Sequence, residues 1–219
     1  MDILINFING LMHIDKYLAL IIQQYGILTY VIIFAIIFIE TGLVVTPFLP
    51  GDSMLFAAGA LAGIGSMNIV TLLIVVYIAA VLGDTANYHI GKKIGKKILA
   101  KEKVRFINKE YLAKAQTFYE KHGSMTIVIG RFIPIIRTFV PFVAGVGEMN
   151  YSKFIPYNII GGGLWVSLFL GVGYLFGNLT FIKENFSYVL IAIIIISLLP
   201  GVIVFIKGKR KNGILIRMK

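Results

Sequence analysis

Long apolar runs, broken by prolines and by a few isolated charges, organise this chain. Residues 27–39 are apolar apart from Thr29 and lead into Glu40, which predicts a membrane helix. Residues 69–90 and 151–176 form two further apolar spans, and 188–206 a last one before Lys207-Gly-Lys-Arg-Lys211. The first stretch differs. Leu4, Phe7, Leu11, Ile14, Leu18 and Ile21 make a stripe at helical spacing, with Asn6, Asn9, His13 and Lys16 opposite. That pattern predicts an amphipathic helix over 1–24 that lies in the membrane interface rather than crossing it.

Two segments fit neither class. Residues 41–66 contain Pro47, Pro50 and several glycines, and residues 124–148 contain Pro134 and Pro141. Both are apolar, yet too broken for one straight helix. Each ends in a near-copy of the other, Gly63-Ile-Gly-Ser-Met-Asn68 and Gly145-Val-Gly-Glu-Met-Asn150. Interrupted apolar segments in matching positions of two halves point to a binding site near the bilayer midplane. The charges in the two segments are opposite in sign, acidic in the first and basic in the second.

Composition supports the membrane assignment. Hydrophobic residues make up 58% of the 219 positions and the mean hydropathy is +0.88, against about 45–50% apolar in soluble domains. There is room for about five or six segments of roughly 20 residues. Cysteine is absent, so thiol chemistry is excluded. Met1-Asp2 opens without a basic n-region, so no cleaved signal is expected. The net charge of +11 sits mainly in two places: ten Lys/Arg against three acids in 92–121, and six Lys/Arg in 207–219. Cytoplasmic loops collect such charge; an anionic lipid surface is a secondary explanation, and no nucleic-acid partner is expected.

Parity of crossings then constrains the broken segments. With 92–122 as a basic cytoplasmic helical segment and 124–148 crossing fully, the two later spans would leave the basic tail 207–219 outside. That opposes the positive-inside tendency. A segment 124–148 that enters and leaves on one side brings the tail into the cytoplasm. The expected fold is therefore all-α and integral to the membrane. It is an inverted repeat of two re-entrant helical hairpins, 41–66 and 124–148, plus transmembrane helices and amphipathic interfacial helices. Together they form a single membrane domain, 1–219, with both termini cytoplasmic. Non-helical backbone at such depth must be buried in protein or line a wet cavity.

The charges in the hairpins carry the candidate chemistry. Arg131 and Arg137 would point about 240° apart on a straight helix, and Pro134 between them can let both converge. Paired guanidinium forks in a dry cavity suit a phosphate, and half-helix N-termini favour the same anion. Glu40 and Asp52 flank Pro47 and Pro50. Burial favours a protonated carboxyl and a nearby arginine an ionised one, so these two are expected either to couple protons or to serve as counter-ions. Asp84 is expected to be hydrogen-bonded below the headgroups, near Asn87 and Tyr88. Trp165, deep in its span, suits packing or the lining of a cavity. His13, His89 and His122 lie too far apart for a metal site, and no cofactor is expected. Gly51-Asp52-Ser53-Met54-Leu55 resembles the opening block of a GDSL-type hydrolase. No histidine follows His122 to activate the serine, so no enzyme is expected.

At these same residues a family resemblance becomes specific. Phe38-Ile-Glu40-Thr-Gly with Pro47-Phe-Leu-Pro-Gly-Asp52 resembles the first signature of the DedA membrane proteins, also described as SNARE-associated or VTT-domain proteins. Gly83-Asp84 with Tyr88-His-Ile-Gly91-Lys resembles the middle block. Gly130-Arg131-Phe-Ile-Pro-Ile-Ile-Arg137-Thr-Phe-Val-Pro-Phe-Val-Ala-Gly145, with Met149, resembles the most diagnostic stretch. The match covers roughly residues 25–180. It implies translocation of undecaprenyl phosphate across the bacterial cytoplasmic membrane for recycling of the cell-envelope lipid carrier, driven by the proton motive force. It also implies an essential acidic pair at Glu40 and Asp52 and an arginine pair at Arg131 and Arg137. The expected partners are a membrane lipid, polyprenyl phosphate or a phospholipid, and protons. Alternatives are an uncoupled phospholipid scramblase and a proton or small-ion antiporter. Gly161-Gly-Gly163 permits a close helix contact, within one chain or in a homodimer.

Overall fold

A computed structural model describes residues 24–43, 51–99, 116–117, 119–133, 136–184 and 188–189. The expected interfacial helix at 1–24 (but for its last residue), Pro47, Pro50, Pro134, most of the last span and the basic tail lie outside the described residues. So do residues 100–115 of the basic segment.

The described residues are helical with short turns. Among them the first five helices are α1 (Ile27–Gly42), α2 (Gly51–Gly63), α3 (Ile69–Leu99), α4 (Thr126–Ile129) and α5 (Phe139–Val146). Tight 3-10 turns, Gly123–Met125 and Gly130–Phe132, flank α4, and α6 (Tyr151–Asn178) and α7 (Thr180–Glu184) follow. Ile69–Lys93 and Tyr151–Asn178 are long and apolar enough to cross a membrane. By contrast α1 rises only about 24 Å, α2 about 20 Å and α5 about 12 Å, all less than the ~30 Å hydrocarbon core. α3 runs past the expected end of its span, so Lys92 and Lys93 continue the helix instead of starting a separate one.

The repeated hexapeptide is a helix–turn–helix joint. After α2, Ser66 N–H bonds Leu61 O at 2.9 Å and Gly65 N–H bonds Ala62 O at 3.0 Å; after α5, Met149 bonds Ala144 O at 3.0 Å and Glu148 bonds Gly145 O at 3.1 Å. Both are Schellman closures, which need a left-handed residue just beyond the helix. Gly65 fills that place in the first half (φ 87°), whereas Glu148 fills it in the second (φ 54°), one residue out of phase with the sequence repeat. The asparagine ending each copy caps the next long helix. Asn68 Oδ1 accepts from Thr71 N–H at 3.0 Å and Asn150 Oδ1 from Ser152 N–H at 2.9 Å, each satisfying an orphan donor.

The halves pack by exchange: α2 lies along α6, and α5 along α3. Small residues allow the close approach, as in membrane bundles generally. A side chain at Gly63 would run into the Tyr174 carbonyl, and one at Gly145 into the Tyr88 carbonyl. α1 packs on α3 through Gly42 and Gly83. Where α3 meets α6, Tyr77 Oη donates to Ile159 O at 3.3 Å, and these two residues are themselves one repeat apart, 82 positions. The largest apolar core cluster lies between α1, α2, α3 and α6.

Candidate functional site: a buried charge cluster between two broken segments

The last turn of α1, the first turn of α2 and the turn before α5 converge on the middle of α3 and α6. Glu40 closes α1 and is fully buried. A carboxylate at a helix C-terminus is unfavourable next to the carbonyl end of the dipole, and its neighbours compensate. Gly51 N–H, at the start of α2, donates to Glu40 Oε1 at 3.3 Å, and Arg137 pairs with the same oxygen. A side chain on Gly51 would occupy the space of the Glu40 carboxylate. Asp52 sits in the first turn of α2, where the dipole favours an anion. Its Oδ1 takes hydrogen bonds from Arg137 and from Trp165 Nε1–H at 3.0 Å. The Arg137 guanidinium also lies 5.4 Å from the Trp165 ring centroid, within cation–π range. Asp52 is the open member of the group, 30% exposed against 0% for Glu40.

Arg131 forms a second station. It leaves the 3-10 turn after α4, pairs with Asp84 Oδ2 on α3 at 2.5 Å and donates to Asn158 Oδ1 on α6 at 2.5 Å. Asn158 is itself oriented, donating to Val81 O at 3.0 Å and Thr85 Oγ1 at 3.2 Å. A side chain at Gly161 would crowd Arg131 Cδ at 3.2 Å and Val128 Cα at 3.1 Å. The glycine run at 161–163 thus seats Arg131 and packs within the chain.

A neutral side chain also joins the two segments. Asn87 Nδ2, fully buried, donates to Thr41 O at 3.1 Å and to Thr138 O at 2.7 Å. Thr41, Asp84, Arg131, Arg137, Thr138 and Trp165 line one cavity of about 10 Å³, room for about one water molecule. Glu40 Oε2, Asn87 Oδ1, Arg131 Nε and Thr138 Oγ1 are among the buried polar atoms that have no hydrogen-bond partner. Such atoms are costly unless something occupies them.

Several expectations change. Both arginines line one cavity, but they do not share a partner. Glu40 and Asp52 both serve Arg137, and the counter-ion of Arg131 is Asp84. Asn87 and Tyr88 are not partners of Asp84: Tyr88 Oη bonds Met149 O. Trp165 is a polar participant as well as a packed ring. Pro141 lies buried inside α5 rather than at a break. The sequence reading missed Asn158, Thr41 and Thr138 altogether. One signal was available, since Asp84 and Asn87 are three apart and Asn158 and Trp165 seven apart, each pair on one helix face.

A family model, the VTT domain, matches residues 49–175. Protein DedA of Escherichia coli (strain K12) is 47% identical over 212 residues, covering 96% of this chain and 97% of that protein. The chain belongs to the DedA family. An uncharacterised membrane protein of Mycobacterium leprae is 42% identical over 178 residues, 81% of this chain and 80% of its own. Inner membrane protein YghB of Escherichia coli (strain K12) is 32% identical over 191 residues, 84% of this chain and 87% of its own. No solved structure matches. The chain is thus a helical membrane protein of the DedA family, and none of these relatives bears an enzyme's name. Every charged residue of the cluster except Glu40 falls inside the matched domain.

Proposed function

We propose that this DedA-family protein is a transporter that moves a polyprenyl phosphate, undecaprenyl phosphate in bacteria, across the cytoplasmic membrane for reuse of the envelope lipid carrier, coupled to the proton motive force. The observation that carries this reading is the burial of two arginines from the second half of the repeat beside one cavity, held by three carboxylates from the first half. Charge at such depth is expensive and concentrates where ions or substrates pass. A phosphate monoester offers the geometry that guanidinium forks bind best.

In this reading α1 and α2 form one re-entrant hairpin, and 123–146 the other. Their short helices support it, since none reaches across the hydrocarbon core. The first hairpin then begins earlier than 41. The two hairpins enter from opposite faces in one membrane domain, with both termini and 92–122 cytoplasmic. A cavity with room for one water is too small for a phosphate group, so the structure corresponds to a closed, self-ligated state. Glu40 and Asp52 occupy the forks of Arg137, and an arriving phosphate displaces them; protons taken up by these carboxylates would carry the coupling. The isoprenoid chain stays in lipid throughout.

The test is uptake of lipid phosphate by proteoliposomes under an imposed pH gradient. Arg137→Ala is expected to abolish transport, and Glu40→Gln to uncouple it from the gradient. Full transport by Arg137→Ala would refute the phosphate clamp. Transport indifferent to both the gradient and Glu40→Gln would indicate an uncoupled scramblase, and ion flux without lipid an antiporter.

A further inference from the structure

Arg137 is not the only link between the two broken segments. Asn87 reaches from the middle of α3 with one amide group and takes hold of two main-chain carbonyls, Thr41 O in the last turn of α1 and Thr138 O in the turn before α5. Thr41 lies 46 residues before Asn87 and Thr138 lies 51 after it, so the two carbonyls belong to opposite halves of the repeat. Each sits beside the residue that makes the charge contact: Thr41 follows Glu40, and Thr138 follows Arg137.

We infer that Asn87 is a positioning residue, a neutral cross-brace that holds the two segment tips together around the closed cavity. Three features support this. The bonds go to backbone, so side-chain exchange at 41 or 138 cannot redirect them. The amide does not titrate, so its two bonds do not change with the protonation of the carboxylates nearby. Its own Oδ1 is a buried acceptor with no partner, and such an atom is destabilising where it stands. Asparagine is therefore retained for its two donors, which a small apolar residue would not supply. The charge contacts of Arg137 answer to substrate and protons, whereas the brace sets how tightly the tips close when neither is present. Opening must break both.

The inference rests on the transport reading for its meaning but not for its test. The chain has no cysteine, so single thiols report cleanly. Ile136→Cys places a thiol in the half-buried turn next to Arg137, and Val76→Cys places one in the fully buried core of α3. In proteoliposomes without lipid phosphate, Asn87→Ala is expected to raise the rate of labelling at position 136 by a water-soluble thiol reagent about five- to tenfold. That is the scale of two interhelical hydrogen bonds in a membrane protein. Labelling at 76 should stay unchanged. Asn87→Leu, which keeps the branched shape, lacks the donors and fills the space rather than emptying it, should act alike, which separates loss of the donors from loss of packing. Equal acceleration at 136 and 76 would mean general loosening and would overturn the brace. No acceleration at 136, or failure of both variants to fold, would overturn it equally. Because no lipid phosphate is present, the outcome does not depend on whether the transport reading holds.

Discussion

Arg137 and Arg131 line the same cavity, six residues apart, yet they are tied to different parts of the molecule. Arg137 joins α1, α2 and α6, taking Glu40 and Asp52 as partners and resting on Trp165. Arg131 joins α3 and α6 through Asp84 and Asn158. One arginine therefore ties its segment to two short helices, and the other fastens its segment to the two long helices. The contrast teaches that two like charges in one cavity need not share one task. The contacts of Arg137 are open at one edge, where Asp52 is 30% exposed, and in the proposed function an anion replaces them. Arg131 holds contacts sealed at 5% exposure on both partners, and it anchors the wall of the site.

Stability measurements on each arginine test the contrast most strongly. Removing one partner of a buried ion pair costs about 3–5 kcal/mol. Arg137→Ala strands two carboxylates and Arg131→Ala one, so thermal unfolding in detergent should show the larger loss for Arg137→Ala. Adding Asp84→Asn to Arg131→Ala should recover at least half of its loss, because the stranded charge is gone. No single carboxylate substitution should do the same for Arg137→Ala. A double variant at 131 and 84 as unstable as the single one would remove the pairing from the account.

A smaller effect separates the two stations without touching charge. Trp165→Phe keeps a ring beneath Arg137 but deletes the Nε1–H donor to Asp52. The expected cost is about 1 kcal/mol, with weaker apparent affinity for lipid phosphate in transport assays. A loss of 3 kcal/mol or more would make the ring itself the chief support of Arg137. The smallest effect concerns the scaffold. Asn68→Ala and Asn150→Ala each remove one helix cap, at about 1 kcal/mol apiece. The two losses should agree closely, since the caps occupy the same place in the repeat. A marked difference would show that the phase shift at Glu148 alters the load on the second turn.

Much of this architecture was legible from residue order. The spans at 69–90 and 151–176 follow from continuous apolar runs, and α3 and α6 extend them only by short stretches. The paired hexapeptides marked the two matching helix–turn–helix joints. Glu40, Asp52, Arg131 and Arg137 stood out because ionisable residues are rare in apolar surroundings. Which charge meets which was not legible. Arg137 reaches Asp52 across 85 positions and Glu40 across 97, distances over which no local spacing rule acts. For the neutral residues Asn87, Asn158 and Thr138 residue order offered at most a shared helix face and no partner, because an amide or hydroxyl in a membrane helix acquires meaning only from the carbonyl or guanidinium that packs against it.

Residue order thus marked which stretches are apolar, where prolines fall among them and how many charges they carry, since apolar runs and the geometry of proline act within a few residues. The exchange of α2 onto α6 and of α5 onto α3, and with it the assignment of Asp84 to Arg131, needed the folded chain. Those contacts depend on how closely helices approach. That approach is set jointly by glycines on one helix and by backbone carbonyls on another, far apart in the chain and adjacent only once it has folded.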